Sequence, residues 1–244
     1  MILEFGIMLK RGLGSKFCQL LKDIIFPLYC LDCGVEGSIV CAECVKKISA
    51  DGVFCCPVCH MVNKDGSCCE ICQPATKLEQ HVALMPYREQ GLIGKITHIL
   101  KYQFVIDVLK ILEPIIKKFS ESHSSFFCNV EVVVPVPLHR RRFAERGFNQ
   151  AELIAGALAR SLGLPLISAL QRQKQTEQQA KLTKAEREAN IRSAFSVADS
   201  ADVLGKEVIV VDDVYTTGST IQECAAALKS AGAKRVVGFT VARG

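Results

Sequence analysis

Val-Ile-Val-Val-Asp-Asp-Val-Tyr-Thr-Thr-Gly-Ser-Thr, residues 208–220, joins an apolar run to two carboxylates and then to a loop of hydroxyls around Gly218. A continuous run of this kind fits a strand buried on both faces, as in a parallel sheet covered by helices. Such a strand delivers its next residues to the carboxyl edge of the sheet, where open α/β folds bind their ligands. The loop Thr216–Thr220 then leads into a helical pattern over Ile221–Ser230, closed by Gly232. Backbone N–H groups and hydroxyls at the amino end of a helix favour a phosphate, and Gly218 permits close approach or a positive φ. Asp212 and Asp213 would repel that anion, so they need another task. They suit accepting hydrogen bonds from vicinal sugar hydroxyls, or holding a magnesium ion through water. Phosphate donors beside diol acceptors describe a ribose 5-phosphate. A plain strand end, with Thr220 as cap and Glu223 completing a capping box, explains two residues of the pattern but not the run of hydroxyls.

Working outward, Val130–Val136 is a second buried strand, and Asn149 with Glu152 caps a helix that should end at Gly163. Leu164–Ile167 reads as a short strand and Arg235–Val241 as a last one. Strands alternating with helices predict an α/β fold with a doubly wound, mostly parallel sheet. Ahead of them, Leu92, Ile96, Ile99 and Leu100 form one helical stripe and Val108, Leu109, Leu112, Ile115 and Ile116 another, broken near Lys101-Tyr102-Gln103. The Ser-rich segment 120–125 reads as a loop. His139-Arg140-Arg141-Arg142, just past a strand end, suits pyrophosphate or a nucleic-acid backbone, or is a basic loop without a ligand. Phe148 reads as core, Asn149 as a cap and Arg146 as a ligand contact. Segment 171–193 is strongly polar, with Arg172, Lys174, Lys181, Lys184, Arg187 and Arg192.

The chain of 244 residues is 49% hydrophobic with a net charge of +5, enough for one α/β domain and a small accessory module. The modest charge permits a phosphate-rich ligand or nucleic acid and requires neither. Eleven of the 13 cysteines lie between Cys18 and Cys72. No secretory signal and no membrane-length apolar run is visible, so the expectation is a reducing cytoplasm, where clustered cysteines bind metal. Cys30/Cys33, Cys41/Cys44, Cys56/Cys59 and Cys69/Cys72 are four Cys-x-x-Cys knuckles. Two knuckles complete a tetrahedral, closed and therefore structural zinc site. Consecutive pairing suits two ribbons; spacing alone also allows an interleaved pairing, and Cys55 and Cys68 leave the ligand choice open. Disulfides or redox pairs are the rival reading. Cys18, Cys128 and Cys224 read as buried thiols, and His60 and His81 as polar residues rather than ligands. Lys46, Lys47 and Lys64 give the module a weak basic character. The expected organisation is an amphipathic segment over 1–28 (Phe17, Leu20, Leu21, Ile24, Ile25), a double ribbon over 29–75 and the α/β domain over 76–244.

Residues 208–220 resemble the phosphoribosyl-pyrophosphate (PRPP) motif of type I phosphoribosyltransferases. Val134-Pro135-Val136-Pro137-Leu138-His139 and Arg146-Gly147-Phe148-Asn149-Gln150-Ala151-Glu152-Leu153 resemble the ComF (competence protein F) family in particular, as do Lys101-Tyr102, Gln178 with Leu182, and Arg187-x-x-Asn190 leading to Phe195. The resemblance implies a phosphoribosyltransferase core behind a double zinc ribbon and a role in DNA uptake during natural transformation. It also implies that Asp212 and Asp213 take the ribose hydroxyls and metal-bound water, that Thr216, Thr217, Gly218, Ser219 and Thr220 hold the 5-phosphate, and that His139 and Arg140 face the pyrophosphate. Segment 172–192 resembles the loop that closes over PRPP. Some relatives carry a carboxylate at the position of Thr216 to handle a proton on a purine; the hydroxyl here supplies no such base. The implied partners are PRPP, single-stranded DNA and a DNA-uptake helicase or channel, with magnesium and zinc as cofactors. An active phosphoribosyltransferase with another acceptor and a zinc-ribbon adaptor are the alternative functions.

Overall fold

A computed structural model of the chain describes residues 27–101, 105–172 and 194–244. The apolar positions Phe17 to Ile25, Cys18, and Lys174, Lys181, Lys184, Arg187 and Arg192 lie outside the described residues. The described chain divides into two compact units, one ending at Ile48 and one running from Ser49 to Gly244. That boundary falls inside the segment 29–75 that the spacing of cysteines marks as one module.

In the first unit, the Cys30–Cys33 turn is closed by Gly34 N–H donating to Cys30 O (2.9 Å), and Cys41 precedes the short helix α1, Ala42–Lys46.

In the second unit, a five-stranded sheet has the order β1-β2-β7-β6-β3, where β1 is Val53–Phe54, β2 Gln80–Pro86, β3 Val132–Pro135, β6 Glu207–Tyr215 and β7 Arg235–Arg243. β2, β7, β6 and β3 run parallel, and only β1 is antiparallel. The expected mostly parallel α/β sheet is therefore present. Alternation along each strand decides what covers which face. Val208, Val210 and Val236 pack with Ile221, Cys224, Ala225 and Leu228 of α7 (Ser219–Ser230). On the other face, Phe239 meets Phe119 and Phe127, from α3 (Val105–Ser122) and α4 (Ser124–Phe127). α2 (Leu92–Ile99) precedes α3, with the break between them where the stripes change. α5 (Arg140–Arg146) and α6 (Gln150–Leu162) follow β3, and β4 (Leu170–Arg172) pairs antiparallel with β5 (Phe195–Val197) in a separate two-stranded sheet.

The helix capped at Asn149 forms as read: the Asn149 side chain accepts from Ala151 N–H, and Gly163 closes it at φ 68°. Two local readings are corrected and one strand is added. Leu164–Ile167 makes only one bridge, Leu166 to Val133, because Pro165 has no N–H with which to extend a ladder. Segment 120–125 is helical except at His123, where α3 gives way to α4: within α3, Ser120 and Ser122 hydroxyls donate to the carbonyls of Lys117 and Lys118, each at 2.9 Å. Gln80–Pro86, a segment that the sequence patterns leave unassigned, is a strand with every residue but Pro86 buried. Cys224 is buried as expected, whereas Cys128 is exposed.

Candidate ligand cleft and metal centres

The carboxyl ends of β2, β3 and β6 open into a cleft of about 670 Å³, lined among others by Glu89, Lys101, Arg142, Arg146, Arg172, Asp212, Asp213 and Thr216–Thr220. A larger concavity of about 780 Å³ lies at the opposite, amino edge of the sheet. There Glu79 is paired with Lys229 and Arg235, so its charges satisfy one another.

β6 carries Asp212 and Asp213 to the cleft. Asp213 is buried, and its carboxylate lies 3.0 Å from Lys101 Nζ. Backbone N–H groups secure the pair, Asp213 N–H donating to Asp212 Oδ1 and Val214 N–H to Asp213 Oδ1, each at 2.9 Å. Removal from water, with the neighbouring Asp213 charge, pushes the Asp212 carboxyl well above the usual range. Burial works against the Lys101 charge, but Asp213 outweighs it and holds the ammonium above its ordinary value. The two acids are coupled and differ in partner: the Asp212 carboxyl is pushed up beside Asp213, and Asp213 faces the Lys101 ammonium.

Past Tyr215 the chain turns at Gly218, φ 78°, which is the N-cap of α7. A Cβ there would lie 2.0 Å from Tyr215 Oη, so the loop rests directly on that phenol. Thr217 and Ser219 hydroxyls are 2.8 Å apart at the mouth of the helix. Hydroxyls and first-turn N–H groups, with Ser219 N–H donating to Thr217 Oγ1 at 3.4 Å, converge where an anion is favoured.

The cationic run after β3 divides. His139 caps α5, its Nδ1 accepting from Arg141 N–H at 3.3 Å, and Arg140 is exposed; neither lines the cleft. Arg142 and Arg146 do, with Arg146 donating to Gln150 Oε1 at 2.8 Å. Four residues apart, they share one face of α5. Asn149 does two tasks, capping α6 and donating to Val136 O at 3.0 Å, which ties the loop after β3 to the next helix. Arg172 stacks 5.4 Å from the Phe195 ring centroid, with burial and Arg142 depressing its charge. Tyr87, Glu89, Thr97 and His98 also line the cleft. Sequence reasoning missed Tyr87 and Glu89 because it missed β2, for which the apolar run Val82–Met85 stopped by Pro86 was the available signal; Thr97 and His98 lie on the helix α2 that was read, but nothing in its pattern singled them out.

The eight knuckle cysteines form two groups, Cys30/Cys33/Cys41/Cys44 and Cys56/Cys59/Cys69/Cys72, with all sulfurs of a group within 4.8 Å of one another. A tetrahedron with metal–sulfur bonds of about 2.3 Å has edges of about 3.8 Å. The separations match: 3.6 Å for Cys33–Cys41, and 3.8 Å for both Cys56–Cys69 and Cys59–Cys69. Pairing is consecutive, and Cys55 and Cys68 stand outside both groups. Burial disfavours the Cys30 and Cys56 thiolates, but knuckle N–H groups outweigh it and bring each to about 6. Both donor sets fit structural zinc.

The family model of the phosphoribosyl transferase domain matches residues 149–243. Sheet, cleft and cysteine groups together define a phosphoribosyltransferase-type α/β protein with two four-cysteine centres. Competence protein ComFC of Bacillus subtilis is 31% identical over 213 residues, 84% of either chain. The chain belongs to that ComFC family. Competence protein F of Haemophilus influenzae is 38% identical over 115 residues, 46% of this chain and half of that one. DNA utilization protein YhgH of Escherichia coli is 40% identical over 105 residues, 43% of this chain and 45% of that one. No described helix is long and apolar enough to cross a membrane.

Proposed function

We propose that the cleft binds PRPP with magnesium and that the protein works in the cytoplasm on DNA taken up during natural transformation. The observation that carries the reading is the acid pair of β6 set beside the hydroxyl loop at the amino end of α7. In this reading Thr216, Thr217, Gly218, Ser219 and Thr220 hold the 5-phosphate. Asp212 and Asp213 take the two ribose hydroxyls. Arg142 and Arg146 supply the charge for the pyrophosphate, in place of His139 and Arg140. Magnesium would offset the charge of the pyrophosphate and be held through water by the acid pair. The uptake role comes from the names of the relatives. Exposed Arg140 and Arg141 offer a route to a DNA backbone. Single-stranded DNA and an uptake helicase or channel are the proposed partners, and the ribbons would serve as a docking adaptor.

Titration calorimetry with PRPP and magnesium tests the site, Asp213→Asn being expected to weaken binding at least tenfold. DNA binding that survives Asp213→Asn and falls steeply with salt supports the uptake role; no DNA binding at low salt removes it. A second reading, transfer of the phosphoribosyl group to an acceptor, is favoured by cleft groups outside the phosphate loop, Glu89 and His98. Release of pyrophosphate on adding a candidate acceptor would establish it.

A further inference from the structure

The second cysteine group and the phosphate loop share contacts that neither needs for itself. Pro57 lies between Cys56 and Cys59, and its carbonyl accepts from Tyr215 Oη at 2.6 Å and from Gln222 Nε2 at 3.1 Å. Tyr215 is the last residue of β6 before the loop, and Gln222 lies in the first turn of α7. The phenol fills the space under Gly218, so the carbonyl that fixes Oη also fixes what the loop rests on.

A second tie runs parallel to the first. Arg243, buried at the end of β7, donates to Cys56 O (3.3 Å), His60 Nδ1 (2.7 Å) and His81 Nδ1 (3.0 Å), and its guanidinium carbon lies 4.5 Å from the Tyr215 ring centroid. His60, next to Cys59, takes a positive φ of 64° that non-glycine residues seldom adopt. Knuckle backbone and knuckle side chain therefore grip the tyrosine at its hydroxyl and across its face.

The position of Pro57 O depends on the Cys56–Cys59 turn. The backbone closes that turn with His60 N–H donating to Cys56 O at 3.1 Å and Cys56 N–H donating to Met61 O at 2.9 Å; two metal–sulfur bonds would constrain it further. A buried phenol that loses its acceptor is destabilised and must move or find another.

We infer that the Cys56/Cys59/Cys69/Cys72 centre is a positioning element for the phosphate loop, so that metal bound there and a phosphate ester bound at 216–220 raise each other's affinity. The inference rests on the reading of 216–220 as the phosphate loop. Reciprocity is thermodynamic: whatever factor the metal adds to ligand affinity, the ligand adds to metal affinity.

The test uses the full chain loaded with zinc. Chelator titration with and without PRPP–magnesium should show zinc of the second centre retained about tenfold better with the ligand, while zinc of the first centre, removed separately by Cys33→Ser, shows no such effect. Amide hydrogen exchange over Thr216–Gln222 should quicken when the second centre is emptied, with or without PRPP. Tyr215→Phe keeps every metal ligand and the ring but removes the hydroxyl. It should bind PRPP about tenfold more weakly and make zinc retention insensitive to PRPP. If chelation unfolds the 49–244 unit, Tyr215→Phe decides alone: unchanged PRPP affinity together with an unchanged effect of PRPP on zinc overturns the inference. Exchange that follows the metal without any PRPP binding would sink the ligand reading and leave the coupling standing. PRPP affinity indifferent to the metal would do the reverse.

Discussion

Asp212 and Asp213 are neighbours in the chain and coupled in their electrostatics, yet held differently: Asp213 has Lys101 at 3.0 Å, and the Asp212 carboxyl is raised by burial and then by the Asp213 charge. The pair and the hydroxyl loop were legible in the sequence, since a strand end and a helix start place them without tertiary information. Arg146 was legible as a ligand contact, whereas the sheet edge pointed only to the run 139–142, of which Arg142 lines the cleft. Gly218→Ala should abolish PRPP binding by calorimetry and cost about 1–3 kcal/mol of stability in urea, since a methyl must displace Tyr215 from beneath the loop. His81 makes a different prediction. It is fully buried, accepts from Arg243 at Nδ1 and lies 3.2 Å from Thr240 Oγ1 at Nε2. Thr240 gives its own proton to Ala242 O, which leaves its oxygen to accept from Nε2–H of a neutral ring. Burial, then the Arg243 charge, lowers its affinity for a proton well below the ordinary value. The unfolded chain therefore binds the proton first as pH falls. Stability should be full above about pH 6.5 and decline below it, by up to about 1.4 kcal/mol per pH unit. Urea melts at pH 7.5, 6.0 and 5.0 should show this component in the native chain and lack it in His81→Asn.

At the scale of elements, α6 was readable because cap, periodic apolar positions and closing glycine agree. β2 was the harder element to read: its apolar run Val82–Met85 is only four residues long, and the strand is buried through pairing with β7, a partner far away in sequence. α3 continues into the serine-rich stretch as far as Ser122, because hydroxyls can bond to the carbonyls one turn back. Asn149→Ala should show how two elements are tied together. It removes the α6 cap and leaves Val136 O without its donor, so a loss of about 1–3 kcal/mol is expected in urea unfolding. Asn149→Ser, which can still cap but cannot reach as far, should recover part of it.

At the scale of the whole molecule, the cysteine pairs were legible as metal knuckles, and their consecutive pairing needed coordinates. Their unequal allegiance was hidden, because nothing in the spacing tells Cys56 that its carbonyl will meet an arginine near residue 240. Metal analysis should find two zinc ions per chain. Cys33→Ser should retain one zinc and leave the main thermal transition of the 49–244 unit nearly unmoved. Cys59→Ser should lower that transition by several degrees, given the roughly 2–4 °C per kcal/mol expected at this size.

The place of β7 has a consequence for synthesis. It lies between β2 and β6, yet it is made after both. As the chain emerges amino end first, β2 and β6 wait with unpaired edges facing the gap that Arg235–Arg243 will fill. Exposed parallel edges separated by long connections fold slowly and invite the wrong neighbour. A nascent chain halted before residue 235 should therefore be protease-sensitive throughout β2 and β6, and become resistant in one step once Arg243 clears the ribosome.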